Sequence, residues 1–302
     1  EVPLSPSHRF PMKKYKLVRE KLQLEMKRAI FAVSPLATVE ELTTTHSKDY
    51  VTRFISGDLT EKENRRIGFP WSKNGVDRTL SSVGGTVEAM KAVCKSEGSF
   101  FAGHIAGGTH HAFYERGEGF CVFSDIVVAA NLALLNFKNS IKKVMIIDLD
   151  VHQGNGNAVL FSSNKSVFTF SMHCKANYFS KVERSDLDVE VEAGTGDGEY
   201  IRILESHIPF LLDELKPDLV FYQSGVDPLS SDRLGLLNLT QDGLSLRNKL
   251  VFESLLERKI KTVITMGGGY PKDLNVESEA FKDVVEAHSR VYVDAENALE
   301  KI

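Results

Sequence analysis

Short apolar runs alternate with amphipathic, helix-like segments along most of the chain. Five runs of four to six residues are rich in β-branched and aromatic side chains. They are apolar on both faces, which is typical of strands in a parallel sheet that has helices packed on both sides. We predict strands over residues 99–102, 144–149, 167–172, 219–223 and 262–266.

Helical patterns fill the intervals between these strands. Ser124 is a suitable N-cap, Gly84 and Gly85 precede another helical pattern, and Pro209 is expected to kink a third. The alternation of strands and helices over residues 80–302 predicts an α/β fold, with a mainly parallel central sheet between two helical layers. The predicted helices cover residues 86–96, 124–137, 199–215 and 244–258.

The first 80 residues are less regular than the rest. Residues 12–29 have the pattern of a basic amphipathic helix, and residues 53–71 that of a loop-rich excursion. There is no internal repeat, linker or block of like charge. We therefore expect residues 1–302 to form a single domain, with the first part packed on its face or rim.

Composition narrows the class of protein. The chain has 302 residues, 42% hydrophobic and 26% charged, which are ordinary globular values. The chain has a formal charge of −4 and lacks the concentrated positive charge of nucleic acid binding proteins. We therefore expect no direct nucleic acid binding. Cys94, Cys121 and Cys174 form no C-x-x-C pattern, which argues against a disulfide framework or a thiolate zinc site.

The apolar stretch over residues 120–137 contains Ser124, Asp125 and Asn131, so we interpret it as a core helix and expect no membrane span. The cysteine usage favours a reducing compartment. We expect an intracellular protein of the nucleus or cytoplasm. A targeting peptide that preceded Glu1 would instead allow an organelle such as the chloroplast.

Polar and glycine residues follow four of the predicted strands. In open α/β sheets, ligands bind beyond the carboxyl ends of the strands, so these segments are expected to meet at one site. Each segment taken alone also has a structural interpretation, as a turn, a helix cap or a hydrogen-bonded strand end. The segments cover residues 107–111, 150–154, 224–227 and 267–270.

The segment over residues 150–154 and the strand before it offer metal ligands. Asp148, Asp150 and His152 are spaced two residues apart, which directs their side chains to the same side of a strand. With Asp227, the last two make a set of three ligands. Three protein ligands leave one position of a tetrahedral Zn²⁺ open for water or substrate, the pattern of a catalytic site.

Five motifs resemble those of a known family: GGTHHA from Gly107, EGFCVFSD from Glu118, DLDVHQGNG from Asp148, SGVDPLSSDRLG from Ser224 and GGGY from Gly267. The chain resembles the zinc-dependent histone deacetylases, which have the arginase/deacetylase fold. A glutamine replaces the second histidine that most members have in DLDVHQGNG. In this respect the chain is similar to the class IV branch, which includes histone deacetylase 11.

The resemblance implies a role for each residue of the site. Asp150, His152 and Asp227 would hold one Zn²⁺ ion, and Tyr270 would donate a hydrogen bond to the developing oxyanion. Of the two histidines beside the reacting water, His111 would act as general base and then as acid. The other histidine, His110, would be oriented by Asp148.

One neighbour of this site departs from the family pattern. Asn155 replaces an aspartate that in many members pairs with the second histidine, and it lies close to Gln153 in the sequence. A neutral amide cannot stabilise an imidazolium as a carboxylate does, so we expect a lower pKa for His111 than in relatives that have two aspartates.

The resemblance also implies a substrate tunnel and monovalent cation sites. The tunnel would be lined by Gly119, Phe120, Tyr178, Phe179 and Gly268. Potassium, in a structural role, would bind largely through backbone carbonyls. One set of ligands would be Asp148, Asp150, His152, Ser171 and Met172, and the other would be Phe161, Asn164 and Val167.

Several functions remain open at this point. The first is removal of acyl groups from the N6 atom of lysine in histones or other proteins, including long fatty acyl chains. A second uses the same chemistry on acetylpolyamines or other small amides. A third is an inactive metal-binding scaffold in a regulatory complex. A dinuclear manganese hydrolase of arginase type would need further ligands, which Gln153 and Asn155 do not supply.

Overall fold

The computed structural model describes residues 2, 4–5, 8–98, 100–177 and 181–301. The strands of this part of the chain form one sheet of six parallel strands in the order β1-β6-β5-β2-β3-β4. The strands are β1 Phe101–His104, β2 Val144–Asp148, β3 Val167–Cys174, β4 Leu187–Val191, β5 Leu219–Gln223 and β6 Lys261–Thr265. The α/β prediction is confirmed.

Helices cover both faces of this sheet. The helices are α1 Lys14–Glu25, α2 Val39–Leu42, α3 Lys48–Ser56, α4 Glu61–Ile67, α5 Lys73–Lys95, α6 Asp125–Asn136, α7 Asn155–Phe161, α8 Asp197–Leu215, α9 Gln241–Glu257 and α10 Glu279–Leu299. Alternate residues of each central strand enter different cores. Met145 and Ile147 of β2 pack in the core formed with α8, α9 and α10, whereas Val144 and Ile146 pack in the core formed with α5 and α6.

The five predicted strands are present, each shifted by at most two residues at either end. The edge strand β4 was not predicted. Its sequence, LDVEV, alternates apolar and acidic residues, and most of its side chains are partly exposed. A half-exposed edge strand lacks the continuous apolar run that marks the central strands.

The prediction that residues 53–71 are loop-rich was wrong, because parts of α3 and the whole of α4 lie there. Both helices are short and end at a glycine with positive φ, Gly57 at +86° and Gly68 at +90°. The Thr60 side chain and the Glu63 side chain cap the start of α4 reciprocally. These local capping signals specify α4 despite its polar sequence, whereas α3 also buries an apolar face.

Other helix boundaries also differ from the predictions. Gly84 and Gly85 lie inside α5, which begins at Lys73, and α1 ends at Glu25. Gly85 is required in α5 because a Cβ atom there would lie 2.2 Å from Nε2 of His104. Pro209 lies inside α8, and the kink expected there stays a prediction.

No helix in the described ranges has the length and apolar character needed to cross a membrane.

Candidate metal and catalytic site

The site lies where β2 and β5 end. These strands are neighbours in the sheet, and Asp148 pairs with Gln223 in their register. The backbone N–H of Leu149 donates to the Gln223 carbonyl at 3.1 Å and continues this pairing beyond the assigned strands. The segments that carry Asp150 and Asp227 therefore leave the sheet side by side.

Asp150, His152 and Asp227 meet in one buried cluster, and their ligand atoms all lie within 4.8 Å of one another. Nδ1 of His152 lies 3.2 Å from Oδ1 of Asp150 and 3.2 Å from Oδ2 of Asp227. The structure thus brings together the three residues that the sequence suggested as metal ligands.

The electrostatics of the cluster favour a cation. Burial opposes the charged form of His152, but its hydrogen bonds to the two carboxylates outweigh burial and raise its pKa to about 10. Burial and the nearby charge of Asp150 raise the pKa of Asp227 to about 6. Two carboxylates that share one buried position are stabilised by a positive charge placed between them.

Backbone groups hold these carboxylates in place. The N–H of Val151 donates to Oδ1 of Asp227 at 2.9 Å, and the N–H of Gly268 donates to Oδ2 of Asp150 at 2.8 Å. A Cβ atom at residue 268 would lie 2.1 Å from Oδ2 of Asp227. The predicted tunnel residue Gly268 therefore packs against the metal-ligand carboxylates, where only glycine fits.

The residues present fit a zinc ion. Two carboxylate oxygens and one imidazole nitrogen are common zinc ligands, and three protein ligands with an open fourth position are typical of catalytic zinc sites. Hydrogen bonds from backbone N–H groups orient both carboxylates, as is usual beside protein metal ions.

The two neighbouring histidines have different partners. Nδ1 of His110 lies 2.8 Å from Oδ2 of Asp148, and Nδ1 of His111 lies 2.8 Å from Oδ1 of Asn155. The Asn155 oxygen also accepts the N–H of Gly156 at 2.9 Å. Because that amide oxygen is an acceptor, Nδ1 of His111 carries the hydrogen, and the basic lone pair of His111 lies on Nε2.

The pKa values of the two imidazoles shift in opposite directions. Burial lowers the pKa of His110, but the charges of Asp148 and Asp150 outweigh burial and raise it to about 9. Burial and the charges of His110 and His152 lower the pKa of His111 well below its usual value. His110 is therefore protonated and His111 neutral near neutral pH.

Gln153 is fully buried and contacts the segment that leads into β4. Its amide nitrogen donates to the Glu183 carbonyl and, at 2.7 Å, to Oδ1 of Asp188. Its amide oxygen accepts the N–H of Glu183 at 2.8 Å. The glutamine thus holds residues 183–188 against the segment that carries His152. Its amide nitrogen donates two hydrogen bonds and its amide oxygen accepts one.

Tyr270 is held by a residue that the sequence analysis missed. The backbone N–H of Tyr270 donates to Oδ2 of Asp232 at 2.6 Å, and Oδ1 of the same carboxylate accepts the N–H groups of Leu234 and Gly235. Burial and the charges of Asp150 and Asp227 raise the pKa of the Tyr270 hydroxyl well above its usual value. The tyrosine therefore keeps its proton.

Lys14 was also missed. It is buried at 1% exposure, and Nζ donates to the Gly269 carbonyl at 3.1 Å and to the Gly267 carbonyl at 3.3 Å. Nζ lies 5.4 Å from the centre of the Tyr270 ring. Lys14 lies in the predicted basic amphipathic helix, and the sequence of that helix does not indicate which of its lysines is buried.

Phe120 lies beside Tyr270 in an aromatic cluster, with 6.0 Å between the two ring centroids. It has a left-handed backbone with φ of 67°, and the preceding residue, Gly119, has φ of 55°. Such a conformation is unusual for a bulky residue and is typical of functional sites. Phe10 and Phe69 complete the cluster, with centroids 5.1 Å and 5.3 Å from that of Phe120.

The predicted tunnel residues Tyr178 and Phe179 lie outside the described residues. Phe10 and Phe69 were not predicted as part of the site. Phe10 belongs to a short segment before α1, and only the folded chain brings that segment to Phe120.

The two predicted potassium sets lie in different places, one beside the end of β2 and the other around the start of β3. Asp148 and Ser171 are opposite each other in the register between β2 and β3. In the second set, the Phe161 carbonyl accepts the N–H of Asn164 at 2.8 Å, and the Asn164 carbonyl accepts the N–H of Val167 at 3.1 Å. Potassium binding by either set stays a prediction.

Comparison with known proteins gives consistent matches. A sequence profile described as the histone deacetylase domain matches residues 8–292. An uncharacterized protein of Picosynechococcus sp. is 40% identical over 294 residues, which cover 96% of this chain and 93% of that protein. Histone deacetylase 2 of Arabidopsis thaliana is 39% identical over 193 residues, which cover 63% of this chain and 49% of that protein.

Histone deacetylase HDA1 of Candida albicans is 29% identical over 261 residues, which cover 78% of this chain and 31% of that protein. The chain thus spans about half of the Arabidopsis relative and about a third of the Candida relative.

Proposed function

This chain belongs to the histone deacetylase family, and we propose that it is a zinc-dependent hydrolase of N6-acyl-lysine side chains in proteins. The observation that carries the proposal is the buried cluster of Asp150, His152 and Asp227 beside the two differently paired histidines. The profile match over residues 8–292 supports the further proposal that residues 1–302 are one catalytic domain.

His111 is the proposed general base. When bound to the three ligands, Zn²⁺ would polarise the acyl carbonyl and lower the pKa of a water molecule. His111 is neutral and its Nε2 atom accepts a proton from that water. The water oxygen bonds to the acyl carbon, and the same nitrogen then delivers the proton to the lysine nitrogen as the C–N bond breaks, which gives a carboxylic acid and a free lysine amine.

His110 has a different proposed role. With Asp148 on Nδ1 and a raised pKa, it keeps its proton throughout the reaction. Its positive charge lies next to His111, with 4.0 Å between the ring centroids, and stabilises negative charge that develops on the substrate.

Tyr270 is the proposed donor to the acyl oxygen. Its raised pKa keeps the hydroxyl protonated, and the Gly268 N–H on Asp150 anchors its turn to the metal ligands. A donor held in position before the reaction stabilises the transition state without the cost of reorganisation.

The aromatic cluster is proposed to bind the lysine stem. Phe120, Phe10 and Tyr270 present apolar ring surface beside the catalytic residues. An aliphatic stem between such rings loses its contact with water, which favours binding. The class IV assignment is part of this proposal and rests on Gln153.

The test combines metal analysis with a substrate panel. The purified chain is expected to contain one zinc ion and to hydrolyse peptides that carry acyl-lysine. Hydrolysis rates on peptides whose acyl groups range from acetyl to myristoyl measure the chain-length preference. Rates on acetylated polyamines distinguish protein substrates from small amides. An Asp227→Ala variant, which lacks one ligand, is the control and should lose both zinc and activity. A wild-type chain that contains zinc but hydrolyses none of these amides would contradict the proposed function.

A further inference from the structure

Arg247 is a buried cation for which the proposed mechanism has no role. It lies near the start of α9, is 0% exposed, and is the bulkiest of the fully buried side chains in the described part of the protein. Burying a guanidinium is strongly unfavourable unless its N–H groups find acceptors. The acceptors that Arg247 uses therefore indicate what its burial achieves.

Arg247 donates to the backbone at the ends of two strands. Its Nη1 atom donates to the Gly225 carbonyl at 2.6 Å and to the Leu149 carbonyl at 3.3 Å. Its Nη2 atom donates to the Ser224 carbonyl at 3.3 Å. One planar group thus joins the segment after β2 to the segment after β5.

Both of these segments lead directly to proposed metal ligands. Leu149 precedes Asp150, and Gly225 lies two residues before Asp227. The two segments are in close contact, since a Cβ atom at residue 225 would lie 2.3 Å from Oδ2 of Asp150. A small change in their separation would therefore alter the spacing of the carboxylates.

Asn248 fixes the orientation of the guanidinium. Its amide oxygen lies 3.2 Å from Nη2 and 3.4 Å from Nε of Arg247, and it also accepts the Tyr222 hydroxyl at 2.9 Å. Its amide nitrogen donates to Oδ2 of Asp294 at 3.0 Å, which ties α9 to α10. These hydrogen bonds hold the planar group in one position.

We propose that Arg247 is a positioning residue for the metal site. It holds the two ligand-bearing segments at the separation that suits one divalent cation, and it acts through their backbone carbonyls. The inference rests on the proposed metal site, but it does not depend on which amide the protein hydrolyses.

The test measures metal affinity in the full chain. Wild type and the variants Arg247→Gln and Arg247→Lys are stripped of metal and titrated with Zn²⁺ against a chromophoric chelator. Arg258→Gln is the matched control, because Arg258 caps the same helix and pairs with Asp213 at the surface. Visible absorption of the Co²⁺-loaded proteins reports the coordination geometry, and thermal unfolding reports stability.

Arg247→Gln is expected to weaken Zn²⁺ binding by about 10- to 100-fold, as for other residues that support metal ligands, and to change the Co²⁺ spectrum. Arg247→Lys is expected to show a smaller but measurable loss, because the ammonium group keeps the positive charge but cannot bridge both segments as a planar fork does. The control should bind Zn²⁺ like wild type.

An unchanged Zn²⁺ affinity and Co²⁺ spectrum in Arg247→Gln, with only a lower melting temperature, would show that Arg247 merely stabilises the fold and would overturn the proposal. Should that variant not fold, Arg247→Lys decides, and an unchanged affinity there overturns it equally. Failure of the proposed function gives a different result, namely a wild-type protein that binds Zn²⁺ but hydrolyses no acyl-lysine peptide.

Discussion

His110 and His111 are adjacent in the chain, and yet the pKa is raised for His110 and lowered for His111. Burial disfavours the charged form of both, but only His110 has a carboxylate on Nδ1 that outweighs burial. Asp148 is a carboxylate and Asn155 is a neutral amide, and both lie 2.8 Å from the imidazole that they bind. The amide fixes the tautomer of His111 without stabilising its charged form. This asymmetry supports the proposed roles of His111 as the base and His110 as the fixed cation.

Asn155→Asp is expected to raise the pKa of His111, because a carboxylate stabilises the imidazolium. His111 must be neutral to act as a base. When the pH is lowered, the variant is therefore expected to lose activity at a higher pH than wild type does. The acidic limb of the kcat/KM profile should move up by about one pH unit or more. The profile is measured on one acyl-lysine peptide, and an acidic limb at the wild-type position would contradict the role assigned to Asn155.

Tyr270→Phe removes one hydroxyl and leaves the ring in the aromatic cluster. Because the donor acts mainly in the transition state, kcat is expected to fall by roughly 100-fold or more, with little change in KM. Steady-state kinetics check the two constants, and elemental analysis checks that zinc is retained. A variant in which only KM rises would assign Tyr270 to binding and not to catalysis.

At the scale of elements, the central strands were predictable because both of their faces are buried. β2 and β5 are buried at every position, whereas β4 is only partly buried and lacks that pattern. The metal ligands were predictable for a related reason, since they directly follow strands. Lys14 and Phe10 were not, because their local sequence does not show which distant residues they contact.

Gly85 in α5 gives a test of packing against helix propensity. Gly85→Ala is expected to destabilise the fold by about 1–3 kcal/mol, because the new methyl group would overlap the His104 ring. Gly198→Ala in α8 is the matched control, since nothing lies within 4 Å of its Cβ position. Alanine has a higher helix propensity than glycine, so this variant should increase the free energy of unfolding by up to about 1 kcal/mol. Chemical denaturation measures both, and an equal effect in the two variants would contradict this account.

At the scale of the whole molecule, the site has two parts of different origin. The central strands β2 and β5 lead to the metal ligands, whereas the segment before α1 and the end of α4 supply much of the aromatic cluster. The N–H of Phe120 donates to the Ile67 carbonyl at 2.7 Å and joins this cluster to α4. If the proposed function is correct, metal binding and substrate binding depend largely on separate regions, which the turn from Gly268 to Tyr270 connects.

Phe10→Ala tests this separation. The loss of one ring from the aromatic cluster is expected to raise KM for acyl-lysine peptides by roughly tenfold, a typical effect of lost apolar contact. Zinc affinity should remain at the wild-type value, because Phe10 packs in the aromatic cluster, which contains none of the three proposed metal ligands. Kinetics and a Zn²⁺ titration measure the two effects, and a parallel loss of zinc would show that the regions are coupled.

The buried amide of Gln153 has a consequence for substitution at this position. Its nitrogen and oxygen together hold Glu183 and Asp188, and an imidazole cannot offer two donors and an acceptor in that arrangement. A single exchange for the histidine of most relatives would release residues 183–188 from the ligand segment. A histidine at residue 153 is therefore expected to be accommodated only together with compensating changes in residues 183–188.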